Sequence, residues 1–227
     1  MLRFADISNH QASAGLQLSQ IAGELDGLAV KASEGTTFVD ASCDGYFQAA
    51  KQYGLKRAFY HFAGTGDPED EARFFIDNTH NYFGDAVPVL DWEGNQSVSW
   101  VNAFVRYIHD KMGVWPWIYG NPWRFNQGGV EPNCMRWLAS YPAVTSPTFE
   151  QAEGWECPTA DGVVGAWQFC SDGRLGGYYP LDLDLFYGSE AAWDAYAKGD
   201  GRQVEPEPGK TYVLEGDGIK VTVEVDE

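Results

Sequence analysis

Strand and helix candidates alternate through the first half of this 227-residue chain, and no other feature restricts its fold as much. Alternation of this kind builds βα units around a parallel sheet. The strand candidates are Arg3 to Ser8, Leu28 to Ala32, Arg57 to Phe62, Val87 to Gly94 and Trp115 to Tyr119. Between them lie a short helical stretch around Leu16 to Leu25 and a helix through Tyr46, Phe47, Ala50 and Tyr53 that ends at Gly54. A third helix opens with Asp67 as cap and Pro68 in its first turn and runs to about Tyr82. The stripe Trp100, Phe104, Tyr107, Ile108 and Met112, stopped by Gly113, marks a fourth. After Gly120 the alternation fails. Met135 to Ser140, Val163 to Phe169 and Leu181 to Phe186 still read as strands, but Gly, Pro and polar residues connect them. Eight strands with substantial helices after only the first five predict an α/β fold, an irregular (β/α)5(β)3 TIM-like barrel.

A closing helix capped by Ser189 and ending near Gly199 completes a barrel domain of residues 1–199. Gly, Pro and charged residues then mark a linker over 200–210. Residues 211–227 read as a β-hairpin with Glu215-Gly216-Asp217-Gly218 as its turn. Two strands are marginal alone, so this appendage is expected to dock on the barrel, pair with a second copy to form a homo-oligomer, or be the stub of a wall-binding module.

Composition narrows the partners. A net charge of -18 disfavours nucleic acid and anionic membrane surfaces, which need clustered Lys and Arg. No stretch approaches the roughly 20 apolar residues of a membrane span, and no apolar run near Met1 has signal-peptide length, so no membrane insertion and synthesis in the cytoplasm are expected. Cys43, Cys134, Cys157 and Cys170 are widely spaced without nearby histidines, which predicts neither a metal site nor a disulfide framework. No cofactor is implied. Aromatic residues make up 15% of the chain, a share that suits a groove stacking on sugar rings as well as a core.

The chemistry concentrates on Val87-Pro88-Val89-Leu90-Asp91-Trp92-Glu93-Gly94. In an extended strand Val87, Val89, Asp91 and Glu93 share one face, a column that begins in a core and ends in two carboxylates. Glycosidic cleavage needs an acid to protonate the leaving oxygen and a second group to stabilise an oxocarbenium-like transition state. Asp91 and Glu93 can supply both, although residues about 6.6 to 6.8 Å apart along a strand leave the carboxyl separation, and hence the stereochemistry, open. Asp6 ends the first strand, and Leu181-Asp182-Leu183-Asp184-Leu185 turns both aspartates toward the barrel interior if its leucines face the helices. Closure makes the first and last strands neighbours, so Asp6 and Asp182 should meet. Clustered carboxylates raise one another's proton affinity, and Glu93 is the candidate for the acid kept protonated. Tyr60, Tyr119, Trp137 and Trp167 either stack on sugars or fill the core. Lys31 and Glu34 form either an ion pair supporting the site or an ordinary exposed pair. His61 is read as a hydrogen-bonded core histidine in preference to a general base, and His10, His80 and His109 as surface residues.

The ordered set Asp6-Ile7-Ser8-Asn9-His10-Gln11, Val30-Lys31-Ala32-Ser33-Glu34-Gly35, Tyr60-His61-Phe62, Pro88 to Glu93, Trp117-Ile118-Tyr119-Gly120, Trp137 to Tyr141, Trp167-Gln168-Phe169 and Leu181 to Phe186 resembles family 25 glycoside hydrolases over residues 3 to 198. These are lysozymes of the Chalaropsis type, common among phage endolysins and bacterial autolysins. The resemblance implies N-acetylmuramidase action on the peptidoglycan glycan strand, at the bacterial cell wall after release or export, and host lysis as its setting. It implies Glu93 as general acid, Asp91 as its partner, and Asp6 and Asp182 as supporting carboxylates. Asp184 stands where that family usually has asparagine. Two mechanisms stay open: attack by the substrate's own 2-acetamido group, oriented by Asp91, or direct inversion by a water held by Asp91 or Asp6. A non-catalytic glycan-binding module and a chitinase-like hydrolase are the competing functions.

Overall fold

A computed structural model describes residues 1–199 and the backbone of 211–216 and 219–224. In chain order the elements are β1 (Leu2–Ile7), α1 (Asn9–Ser13), β2 (Gly27–Glu34), β3 (Phe38–Val39), α2 (Cys43–Gln52), β4 (Lys56–Phe62), α3 (Pro68–Thr79), β5 (Val87–Asp91), α4 (Val98–Met112), β6 (Trp117–Gly120), α5 (Pro122–Phe125), β7 (Arg136–Ala139), α6 (Phe149–Glu153), β8 (Val164–Leu175), β9 (Tyr178–Phe186), α7 (Glu190–Lys198), β10 (Thr211–Gly216) and β11 (Ile219–Glu224). The sheet order β1-β9-β8-β7-β6-β5-β4-β2 closes through a β1–β2 pairing, giving an eight-stranded barrel with β3 added at the rim of β2. Pairings from β1 round to β8 through β2, β4, β5, β6 and β7 are parallel, whereas β9 runs antiparallel to both β8 and β1.

The expected cap chemistry forms the longer helices. Asp67 accepts from the Glu69 and Asp70 amides at 3.0 and 3.3 Å, and Pro68 follows it at the one place where a missing N–H costs nothing. Ser97 and Ser189 cap α4 and α7, and Gly113 and Gly199 end them in the left-handed conformation. Several connections differ from expectation. The stretch Leu16 to Leu25 forms two 3-10 turns, and the helix after β1 is the short α1, closed by a reciprocal Ser8–Gln11 capping box. The fifth connection carries only the four-residue α5, while the loop after β7, whose Gly, Pro and polar residues predict no helix, contains α6.

β8 and β9 form one long hairpin. Leu175 pairs with Tyr178 across Gly176-Gly177, both at positive φ, the geometry of a two-residue turn that twists with its strands. At Gly176 a side chain is excluded twice over, because a Cβ would lie 1.8 Å from the Gln20 carbonyl oxygen. The strands β10 and β11 pair antiparallel from Thr211↔Glu224 to Gly216↔Ile219, so Glu215 and Gly216 belong to a strand, not the turn. The linker over 200–210 and positions 217–218 lie outside the described residues.

Two cores flank the barrel wall. Leu, Ile, Val and Phe side chains of the outward strand faces pack under the helices, with Phe59, Phe75 and Phe104 at the centre. Inside the barrel, Phe4, Ala29, Ala58, Val87, Val89, Trp117, Ala166 and Phe186 fill the end where the parallel strands begin. Trp193 of α7 seals that end edge-on against Phe4, Trp117 and Phe186, with centroids 4.9 to 5.3 Å apart, and its indole N–H donates to the Arg57 carbonyl at 2.9 Å.

Candidate active site

The strands that carry this aromatic plug carry the acids two to four residues away on the same face. β1 presents Phe4 and then Asp6, β5 presents Val87, Val89 and then Asp91, and β6 presents Trp117 and then Tyr119. On β9 the order is reversed, with Asp182 and Asp184 preceding Phe186, and the antiparallel direction brings both to the acid end. Asp6 pairs directly with Asp182, as closure of the barrel predicts. The resulting cleft encloses about 250 Å³ at the C-terminal ends of the parallel strands, the position of barrel active sites. Asp6, Asp91, Glu93, Asp182, Tyr60, Tyr119, Trp137 and Lys31 all line it.

Glu93 reaches the cleft differently from the expected strand column. β5 ends at Asp91, and Trp92 turns into the outer core, its indole N–H donating to the Gln96 carbonyl at 3.0 Å. The exposed Glu93 therefore sits on a loop. Arg124 of α5 fixes that loop: its guanidinium packs over the Trp92 ring at 5.3 Å and donates to the carbonyls of Glu93 and of Gly94, the latter at 2.6 Å. A polar clamp thus does what strand geometry was expected to do.

Electrostatics set the acids apart. Burial, then the charges of Glu93 and Asp6, holds the Asp91 carboxyl well above the usual carboxylate range, with Lys31 opposing. Its Oδ1 is buried and accepts from no group among the described residues. Burial, with Asp6 and then Glu93 beside it, pushes Asp182 up to about 9. Asp6 is raised less, to about 6, because the hydrogen bond from Gln168 offsets its burial. Gln168 Nε2 donates to Asp6 Oδ2 at 2.7 Å, while Gln168 Oε1 accepts from the hydroxyls of Tyr119, at 2.7 Å, and Tyr141.

Other candidates divide cleanly. Lys31 is in the cleft, with Nζ 2.7 Å from Glu34 Oε2 and 4.7 Å above the Phe62 ring, while Glu34 stands at the rim. Trp137 lines the cleft and donates to Asp184 Oδ1 at 2.8 Å, below the cleft floor. Trp167 is a correction: it points outward into the helical core beside Trp155 and Phe169, its N–H bound to the Ser140 carbonyl at 2.6 Å, and takes no part in the cleft. The same alternation turns Gln168 inward, a residue the sequence reading passed over although a lone amide between two aromatic residues is the trace such a position leaves. Tyr141, Gln11 and Arg124 were also missed, all on loops or short helices. His10, read as a surface residue, is exposed on the cleft wall. His61 is the expected core histidine: Nδ1 lies 2.9 Å from Ser33 Oγ and Nε2 3.2 Å from Glu71 Oε2, and Glu71 also accepts from the Gly64 and Gly66 amides at 2.7 Å each. Among the described residues no group of His, Cys, Asp and Glu side chains is arranged to hold a metal ion.

Comparison with known proteins agrees with this geometry. The N,O-diacetylmuramidase of Chalaropsis sp is 28% identical over 186 residues, covering 72% of this chain and 82% of that one. The autolytic lysozyme of Clostridium acetobutylicum is 26% identical over 189 residues, which are 80% of this chain and 54% of that protein, so the chain spans about half its length. The solved structure of a muramidase from Trichobolus zukalii superposes with a TM-score of 0.64 at 27% identity, over 88% of this chain and all of that one. The profile of glycosyl hydrolases family 25 matches residues 5–178, and the chain belongs to that family.

Proposed function

We propose that this protein is a lysozyme of the N-acetylmuramidase type, cleaving the β-1,4 bond between N-acetylmuramic acid and N-acetylglucosamine in peptidoglycan. The observation that carries this reading is the pairing of an exposed Glu93 with a buried Asp91 whose Oδ1 lacks a donor. Glu93 protonates the glycosidic oxygen, a step in which a placed acid contributes about 10²–10⁴-fold. The substrate's 2-acetamido oxygen attacks the anomeric carbon, and its N–H donates to the Asp91 carboxyl group, which lines the cleft. Positive charge grows on that amide nitrogen only as the ring closes, so Asp91 holds the transition state more tightly than the ground state. Glu93 then takes a proton from the water that opens the ring. Asp6 and Asp182 line the opposite wall as supporting carboxylates, and Lys31, Tyr60, Tyr119 and Trp137 bind the sugars.

Two features support substrate assistance over direct inversion. Asp91 lines the cleft beside Glu93, where an acetamido group can meet it, and the raised proton affinity of its carboxyl is what an incoming amide cation corrects. The muramidase names of the Chalaropsis and Trichobolus relatives accord with the substrate, and the autolytic lysozyme name of the Clostridium relative accords with action on a bacterial cell wall. Residues 1–199 are the proposed catalytic unit and 211–227 an appendage. Wall binding and size-exclusion elution of the chain with and without 200–227 distinguish targeting from self-pairing.

The test is product analysis on purified cell walls and a soluble muropeptide. New reducing ends on N-acetylmuramic acid, released first as the β anomer, are expected. Ends on N-acetylglucosamine overturn the bond assignment, an initial α anomer overturns assistance by the acetamido group, and wall binding without new ends marks a glycan-binding module.

A further inference from the structure

Asp184 lies beneath the cleft, and the reaction as described does not use it. It is fully buried, at 0% exposure. Oδ1 accepts the Trp137 indole N–H at 2.8 Å, but Oδ2, equally buried, accepts from nothing among the described residues. On its two neighbouring strands Asp184 is opposite Phe4 of β1 and Gln168 of β8, so Asp6, two residues beyond Phe4, is its diagonal neighbour on the same face. The titratable groups nearest Asp184 are Asp6 of β1, Asp182 of its own strand and Tyr141 after β7, with Cys170 of β8 on the outer side of the barrel wall. None is a cation, and no ion pair among the described residues includes Asp184. Asp6 in turn faces Glu93, Asp91, Tyr60 and Tyr119.

A carboxylate in such a place would leave one oxygen unpaired in a low-dielectric interior, with two further acids beside it. We propose that Asp184 is a positioning residue that keeps its proton on Oδ2 and donates it to Asp6. The arrangement satisfies every atom. Oδ1 keeps the Trp137 bond, Oδ2 becomes a donor, and Asp6 accepts two hydrogen bonds, one from Gln168 and one from Asp184, which favour its ionised form. Burial, with Asp6 and then Asp182 beside it, holds the Asp184 carboxyl well above the ordinary range, in agreement with the geometry. Asp6 is thereby the carboxylate of the β1–β9 seam that ionises first, at about 6, while Asp182 across from it titrates at about 9. The proton on Asp184 is not consumed in turnover; it fixes which neighbour is charged.

This proposal deepens the muramidase reading and rests on it only for the part that Asp6 plays in catalysis, so its first test needs no activity. An infrared difference spectrum of wild type against D184N at pH 7.5 should show loss of one carboxylic-acid C=O stretch. Loss of a carboxylate stretch overturns the proposal, whatever the enzyme cleaves. The second test reads the acid limb of kcat/KM on cell walls. Asparagine supplies the same acceptor and donor, so D184N should keep activity to within about threefold and leave the acid limb in place. D184L, which removes the donor, should lower kcat by about ten- to a hundredfold and move the acid limb up by about one pH unit. An acid limb that moves down in D184N overturns the proposal, because it reports the removal of a negative charge beside Asp6. Near-UV circular dichroism of both variants checks that the barrel has folded, and D6N gives an independent reading: with its acceptor neutral, the acid stretch assigned to Asp184 should shift in frequency, and an unchanged stretch overturns the bond between them.

Discussion

The two ends of the barrel interior are built by the same strands and behave as opposites. At the end where the parallel strands start, Trp117 stacks on Phe186, Trp193 meets Phe4, Trp117 and Phe186 edge-on, and Trp193 Nε1 has its partner in the Arg57 carbonyl. Two positions along each of those strands the side chains become Asp6, Tyr119 and Asp184, and the neighbouring β5 contributes Asp91. There, no group among the described residues donates to the buried Asp91 Oδ1 or Asp184 Oδ2, and burial beside other acids holds the carboxyls of Asp91, Asp182 and Asp184 above the ordinary range. One end stabilises by dense apolar packing; the other crowds buried carboxyl groups together and relies on the first to hold the fold together.

That contrast can be broken most sharply at Asp91. D91N should lose about 10²–10³-fold in kcat, the usual cost of removing one electrostatic stabiliser, with little change in thermal midpoint. A matching loss of stability would mean that the acid end also carries the fold. The converse is W193A, which empties the plug: it should cost about 3–5 kcal/mol in denaturant unfolding while the molecules still folded turn over at the wild-type rate. Equal loss in both readings would unite the two ends.

A smaller effect follows from Asp182. Its folded value of about 9 lies above that of an unfolded aspartate, so the native chain binds the proton more tightly. Its stabilising contribution is therefore complete below the unfolded value of about 3.9 and is lost as pH rises toward 9. D182N, which cannot lose that proton, should be more stable than wild type at pH 8, by an increment that shrinks toward pH 4. A difference independent of pH would assign the change to packing instead.

Most of this division was legible before any coordinates. The period-two pattern of Val87, Val89, Asp91 on β5 and of Leu181 to Leu185 on β9 fixes which side chains share the interior, and closure of the barrel brings Asp6 to Asp182. Direction was not legible. Nothing local distinguishes an antiparallel β9 from a parallel one, and only the Gly176-Gly177 turn, with both residues at positive φ, carried the signal of a hairpin. Residues held by loops escaped for the same reason: Tyr141 and Arg124 gain their roles through partners such as Gln168 and the Glu93 carbonyl, far away in sequence. Trp167 stayed ambiguous because an aromatic residue on a strand serves either face equally well until the register is known, and here the bulge after Gln168 follows an outward Trp167.

The most direct test is E93Q, measured for two quantities on the same preparation: release of reducing ends from bacterial cell walls, and thermal unfolding. The exposed loop position of Glu93, held through backbone carbonyls by Arg124, predicts that hydrolysis is abolished while the midpoint stays at the wild-type value. Hydrolysis that persists in E93Q would contradict the assignment of Glu93 as the proton donor and, with it, the reading of the acid end as the catalytic end.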